Sequence, residues 1–150
     1  MVYNTVLRRV LAFIVDALLF QALAYFSVIL GFGIDEGWWI ALSFVYSIAL
    51  HTLYGATLGK WIWGIKVTDL SEQRRPTLFQ SVLREAVYIV LLIAPLFFLT
   101  TMAEDSLLSK LSLWSMPLFA IFDLGVALGN PKSRSIHDYL ASSVVVRVPR

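Results

Sequence analysis

The sequence predicts an all-α integral membrane protein with four transmembrane helices, a small two-stranded cytoplasmic β element and one interfacial helix. Three observations predict it. Of 150 residues, 59% are hydrophobic and 15% charged, and mean hydropathy is +0.77; a soluble domain of this size needs far more polar surface. Four apolar segments each approach the ~20 residues a helix needs to cross ~30 Å of hydrocarbon. Lys and Arg gather in alternate connections, as they do on the cytoplasmic side of membrane proteins. Residues 1–150 form a single domain.

The first apolar segment runs from Val10 to Phe32. It is too long for a signal-peptide core of ~7–15 residues and it carries Asp16, so it reads as a retained span. The second runs from Trp38 to Leu58, the third from Ala86 to Met102, the fourth from Leu111 to Gly129. Backbone amides in lipid must be paired within the segment, which makes each a helix. Pro95 and Pro117 fall inside spans three and four, where neighbouring helices tolerate a kink.

The connections set the orientation. Arg8 and Arg9 precede span one. Lys60, Lys66, Arg74, Arg75 and Arg84 lie between spans two and three, and Lys132, Arg134, Arg147 and Arg150 follow span four. "GIDEG" (33–37) has no Lys or Arg and "AEDSLLSK" (103–110) has only Lys110. Both termini are therefore expected in the cytoplasm. "RRPTLFQSVLRE" (74–85) is polar enough for an interfacial start. Thr77 and Gln80 have capping-box spacing, so a helix begins there and feeds span three. "GIKVTD" (64–69) and "SSVVVRV" (142–148) alternate with β-branched residues and are expected to pair as strands. Two Gly-xxx-Gly pairs, Gly55/Gly59 and Gly125/Gly129, either let helix backbones approach closely or simply end their helices.

Several classes of chemistry find no support. The chain has no cysteine, which removes disulfides and thiolate sites. "GATLGK" (55–60) has three residues between its glycines and Trp61 after its lysine, so it is not a phosphate loop. His51 and His137 lack a second His at i+3 or i+4, and no metal site is expected. No nucleophile elbow surrounds any serine. No basic stripe of the nucleic-acid type is present. The reading is of a non-enzyme with no cofactor and no nucleic-acid partner.

The informative residues are ionisable groups inside apolar segments. Asp16 lies seven residues after Arg9, ~10 Å deeper at 1.5 Å per residue. Asp123 lies ~9–10 Å from the inner end of span four, and His51 ~12 Å from Lys60. Gln21 sits a further turn beyond Asp16. A charged Asp in the bilayer costs from ~2.5 kcal/mol upward unless it is paired, neutralised or hydrated. Asp16, Asp123 and His51, from three spans, are thus expected in one layer of the inner leaflet, and three readings follow for them. They lock the bundle through pairs, or they bind and release H⁺ or Na⁺, or they contact a partner membrane protein or lipid headgroup.

The chain resembles the RDD family of small bacterial membrane proteins, named for a characteristic arginine and two aspartates. "RRVLAFIVD" resembles the opening motif, with Arg9 and Asp16 as its R and first D. "GATLGKWIWGIKVTD" is similar to the middle motif, matching at Thr57, Gly59 and Lys60. "LRE" (83–85) fits the basic residue before the third span. "PKSRSIHDYLASSVVV" resembles the closing motif, with Asp138 as the second D and Arg134 and His137 beside it. The resemblance implies a multi-pass protein of the bacterial inner membrane. Family members are linked to Na⁺/H⁺ exchange, to transport, or to accessory roles. A fourth span and Asp123 depart from the pattern, and "SS" (142–143) stands where Gly-Thr is usual. The signature suggests a cytoplasmic clasp in which Arg9 pairs with Asp138 or with Asp16. Lys60 either serves Asp16 or snorkels to headgroups. Transport from a four-span chain implies a homo-oligomer or a partner, since alternating access usually uses repeated halves.

Overall fold

In a computed structural model, residues 3–101 and 106–148 are described. Met102, residues 103–105 of the "AEDSLLSK" connection, and Arg150 lie outside them.

Helix α1 (Val6–Ile29) runs into a turn carrying Gly31 at φ +75°. Helix α2 (Glu36–Tyr54) is capped by the Asp35 carboxylate, which accepts from the Gly37 N–H at 2.7 Å. It stops at Gly55, in the left-handed region at φ +74°. A Cβ at Gly55 would stand 2.9 Å from the Val67 carbonyl oxygen, so glycine is required there twice over. Thr57 caps a short new helix, α3 (Leu58–Ile62), which leads into strand β1 (Ile65–Asp69). Helix α4 (Leu78–Thr101) opens with the reciprocal bonds of a capping box: Gln80 N–H to Thr77 Oγ1 at 3.2 Å, and Thr77 N–H to Gln80 Oε1 at 2.9 Å. Helices α5 (Leu107–Leu113) and α6 (Ser115–Leu128) follow, then α7 (Ile136–Leu140) and strand β2 (Ser143–Arg147).

β1 and β2 pair antiparallel, with Val67 opposite Val145. Ile65, Val67 and Val145 bury their side chains against Ala12 of α1, with Trp63 packed alongside. The starts of α1 and α4, the ends of α2 and α6, the sheet, α3 and α7 all meet at one end of the molecule.

Among the described residues, two helices are long and apolar enough to cross a membrane: Val6–Ile29 (mean hydropathy 2.0) and Leu78–Pro95 (1.6). Only 11% of either window is buried within the chain, so neither is the hidden core of a soluble fold. Phe13, Val28 and Ile121 are 72%, 68% and 69% exposed, whereas His51, Arg84, Asp123 and Asp138 are buried. Apolar outside and charged inside is the arrangement that suits lipid as the solvent.

The element boundaries correct the sequence reading in two places. Span two ends at Tyr54 and not at Leu58, because Gly55 turns the chain back. The expected interfacial helix forms the first turns of α4 and runs on into span three. Span four is broken at Trp114, where Pro117 offers no N–H to the Leu113 carbonyl and its ring crowds it. Pro95 does not end α4. It leaves the Leu91 carbonyl without its helical donor, and the Ser115 hydroxyl donates to that oxygen at 3.4 Å. Of the glycine pairs, Gly55 ends a helix and Gly59 packs, whereas nothing lies within 4 Å of a Cβ at Gly125.

Candidate functional site

The buried ionisable groups gather where the helix ends meet.

The first set is a clasp on Asp138, whose side chain is fully buried. Its Oδ2 takes Arg9 Nη1 at 2.5 Å and the Ser135 N–H at 3.1 Å. Its Oδ1 takes Arg84 Nη1, which also donates to Ser143 Oγ at 2.8 Å. Arg9 spends a second nitrogen on the Ser133 carbonyl at 2.7 Å. Burial disfavours the Asp138 charge, but Arg84 and then Arg9 outweigh it and hold the carboxyl well below the usual carboxylate range. Arg134 donates to the Ser143 and Asp138 carbonyls and lies 4.0 Å over the Tyr139 ring. The starts of α1 and α4 are thus pinned to one carboxylate of the closing segment.

The second set surrounds Asp16. It accepts from Tyr46 Oη (2.9 Å), Thr57 Oγ1 (2.6 Å) and the Gly59 N–H (2.9 Å). The Tyr46 hydroxyl in turn accepts from the Leu58 N–H at 2.9 Å. Asp16 is a second cap for α3, fastening it to α1 and α2. Neither Arg9 nor Lys60 bonds to it, so the arginine goes to Asp138.

The remaining candidates lie in two places, Asp123 beside His137, which reaches the clasp through Ser135 Oγ at 3.0 Å, and His51 apart from it. Asp123 accepts the His137 N–H at 3.2 Å, lies 2.8 Å from His137 Nδ1, and is 3.4 Å from Tyr88 Oη. Burial pushes the His137 imidazole below its ordinary value against the pull of Asp123. His51 meets Lys60 instead: Lys60 Nζ lies 2.5 Å from His51 Nε2. His51 Nδ1 is 3.2 Å from Ser47 Oγ, which donates to Glu85 Oε1 at 2.5 Å. The lysine neither reaches Asp16 nor turns outward to headgroups.

Asp16, Asp123 and His51 therefore do not share one site. Each has its own partners, and Gln21 is exposed on α1. Sequence reasoning missed Tyr46, Ser47, Glu85, Tyr88, Ser135 and Ser143 as partners. Two signals were available: the i, i+4 spacing of Ser47 and His51 on one helix face, and the Arg84–Glu85 dipeptide heading an apolar run.

The clasp joins the opening, third-span and closing motifs, and residues 3–142 match the RDD family, nearly the whole chain. The chain belongs to the RDD family. Arg9 and Asp138, two of the residues the motif resemblance singled out, are one ion pair, and the third, Asp16, secures the helix carrying Gly59 and Lys60 and its Thr57 cap. No curated protein and no solved structure matches the chain.

Proposed function

We propose that this RDD protein is a four-pass component of the bacterial inner membrane, with both termini cytoplasmic, that takes part in cation or proton transport. One observation carries the reading: charged and imidazole groups are buried between helices whose outer surfaces are apolar. Ionisable groups held within a membrane bundle at this cost mark ion and proton routes. Topology supports it further. Apart from Lys110, every Lys and Arg among the described residues sits at the end where the α1 and α4 starts meet the α2 and α6 ends. At ~1.5 Å per residue, α2 and the α5–α6 pair each have enough residues for ~28–33 Å. Asp123 and His51 are the groups with a proton-accepting partner or neighbour, so they are the candidates for ion coupling. Asp16, held by three donors, is assigned to structure. A single four-pass chain lacks repeated halves, so the working unit is a homo-oligomer or includes a partner membrane protein.

The test is flux. Purified protein in liposomes should dissipate a pH or Na⁺ gradient, and Asp123→Asn should lose that flux while remaining folded. Wild-type vesicles as tight as empty ones, with a fixed partner co-purifying, would instead establish an accessory or scaffold role. The Arg9–Asp138–Arg84 clasp favours that second reading, because its carboxylate is fully buried and held between two guanidinium groups.

A further inference from the structure

The contacts from α3 to α4 form a continuous line of donors and acceptors. Lys60 Nζ meets His51 Nε2, His51 Nδ1 meets Ser47 Oγ, and Ser47 Oγ meets Glu85 Oε1. With Lys60 charged, the directions compatible with all three contacts run one way. An ammonium has no lone pair, so Lys60 donates to Nε2. His51 is then protonated at Nδ1, which donates to Ser47, and the serine hydroxyl donates to the carboxylate. We infer that Lys60, His51, Ser47 and Glu85 are a proton-transfer chain that holds one labile proton between an amine and a carboxylate. This goes beyond the transport reading, because the chain can shuttle its proton whether or not the protein moves an ion across the membrane.

The transfer is balanced. The Lys60 N–H bond breaks as His51 Nε2 gains that proton. The His51 Nδ1–H bond breaks as Ser47 Oγ gains its proton, and the serine passes its own to Glu85. Afterwards Lys60 and Glu85 are neutral, His51 is the opposite tautomer, and Ser47 is unchanged in formula. Little water reaches the middle of the line: His51 is 1% exposed, while Lys60 and Glu85 at its ends are partly exposed. A dry interior narrows the gap between the ion-paired and neutral forms. The surrounding charges bear on the same balance. Arg9 of α1, Arg84 of α4, and His137 and Asp138 of α7 lie near the pair, and Asp16 faces the neighbouring Thr57 and Gly59. Burial first, and then Arg84, pull Lys60 down to about 7.

Nitrogen-15 NMR of labelled Lys and His in lipid nanodiscs reads the chain directly. His51 should hold its proton on Nδ1 while Lys60 and Glu85 are both charged, and on Nε2 in the transferred fraction, in which Glu85 gains its protonated-carboxyl band. Lys60→Met removes the proton source and should leave His51 on Nδ1–H and Glu85 ionised, with His137 unchanged. Ser47→Ala should uncouple the Glu85 carboxyl infrared band from the His51 tautomer, whereas in wild type the two shift together. His51 fixed on Nε2–H throughout, or a Glu85 band that ignores both variants, would overturn the inference. Because no gradient is needed, failed flux with an intact tautomer switch would sink the transport reading alone.

Discussion

Gly59 stands so close to Ala12 that a Cβ on Gly59 would lie 2.1 Å from the Ala12 carbonyl oxygen and 2.9 Å from Asp16 Oδ2. Backbone cannot swing aside as a side chain can, so α3 must retreat from α1 and the Gly59–Asp16 bond must break. Gly59→Ala is expected to cost at or above the upper end of the roughly 1–3 kcal/mol typical of overpacking. Gly125→Ala, with open space around it, is the control. Thermal unfolding in detergent should separate the two clearly.

Asp138→Asn keeps the shape of the side chain but leaves two guanidinium groups facing a neutral amide. Removing one member of a buried ionic set costs about 3–5 kcal/mol. The pH dependence carries the same sign. A carboxyl held below its unfolded value stabilises above the ordinary Asp range of about 3.9, and that stability is lost as pH falls below it. Acid unfolding curves of Asp138→Asn should therefore lose part of this slope.

Lys60 behaves oppositely. Its folded value of about 7 lies under the ordinary 10.5, so between these values the unfolded chain binds more protons. Stability should rise with pH across that window. Lys60→Met should remove the slope and raise stability at and below neutrality. A denaturant series at several pH values measures it.

Ser142 occupies the left-handed region at φ +48°, at the position where the family resemblance places glycine. Ser142→Gly should relieve strain of about 1 kcal/mol and raise the melting temperature. A fall would show that its side chain contributes something the backbone angle does not reveal.

The Pro95–Ser115 relation invites a double-mutant cycle. Ser115→Ala alone should cost about 1 kcal/mol by leaving the Leu91 carbonyl without a donor. After Pro95→Ala the helix supplies its own N–H, and the same serine change should cost little. Equal costs in both backgrounds would mean that the hydroxyl does not replace the missing amide.

Much of this architecture was legible in the sequence. Length and apolarity located the regions that form α1, α2, α4 and the broken α5–α6 pair, of which α1 and α4 are long and apolar enough to cross a membrane, and β-branched alternation located both strands and implied their pairing. Thr77 and Gln80 announced their capping box. What failed was where elements stop. A depth scale of 1.5 Å per residue put His51 ~12 Å from Lys60, yet their nitrogens are 2.5 Å apart. The estimate assumed a helix through Gly55, where the backbone instead reverses. Partners failed for a different reason. Arg9 and Asp138 are separated by 129 positions and Ser47 and Glu85 by 38, and no local pattern encodes which distant group a side chain will reach.

The Asp138 clasp also imposes an order on biogenesis. Translation delivers Arg9 and Arg84 to the membrane well before the ribosome has reached codon 138, so both cations enter the nascent protein uncompensated. Insertion and locking are consequently separate stages, and a chain cut short before Asp138 leaves both guanidinium groups without the carboxylate that joins them.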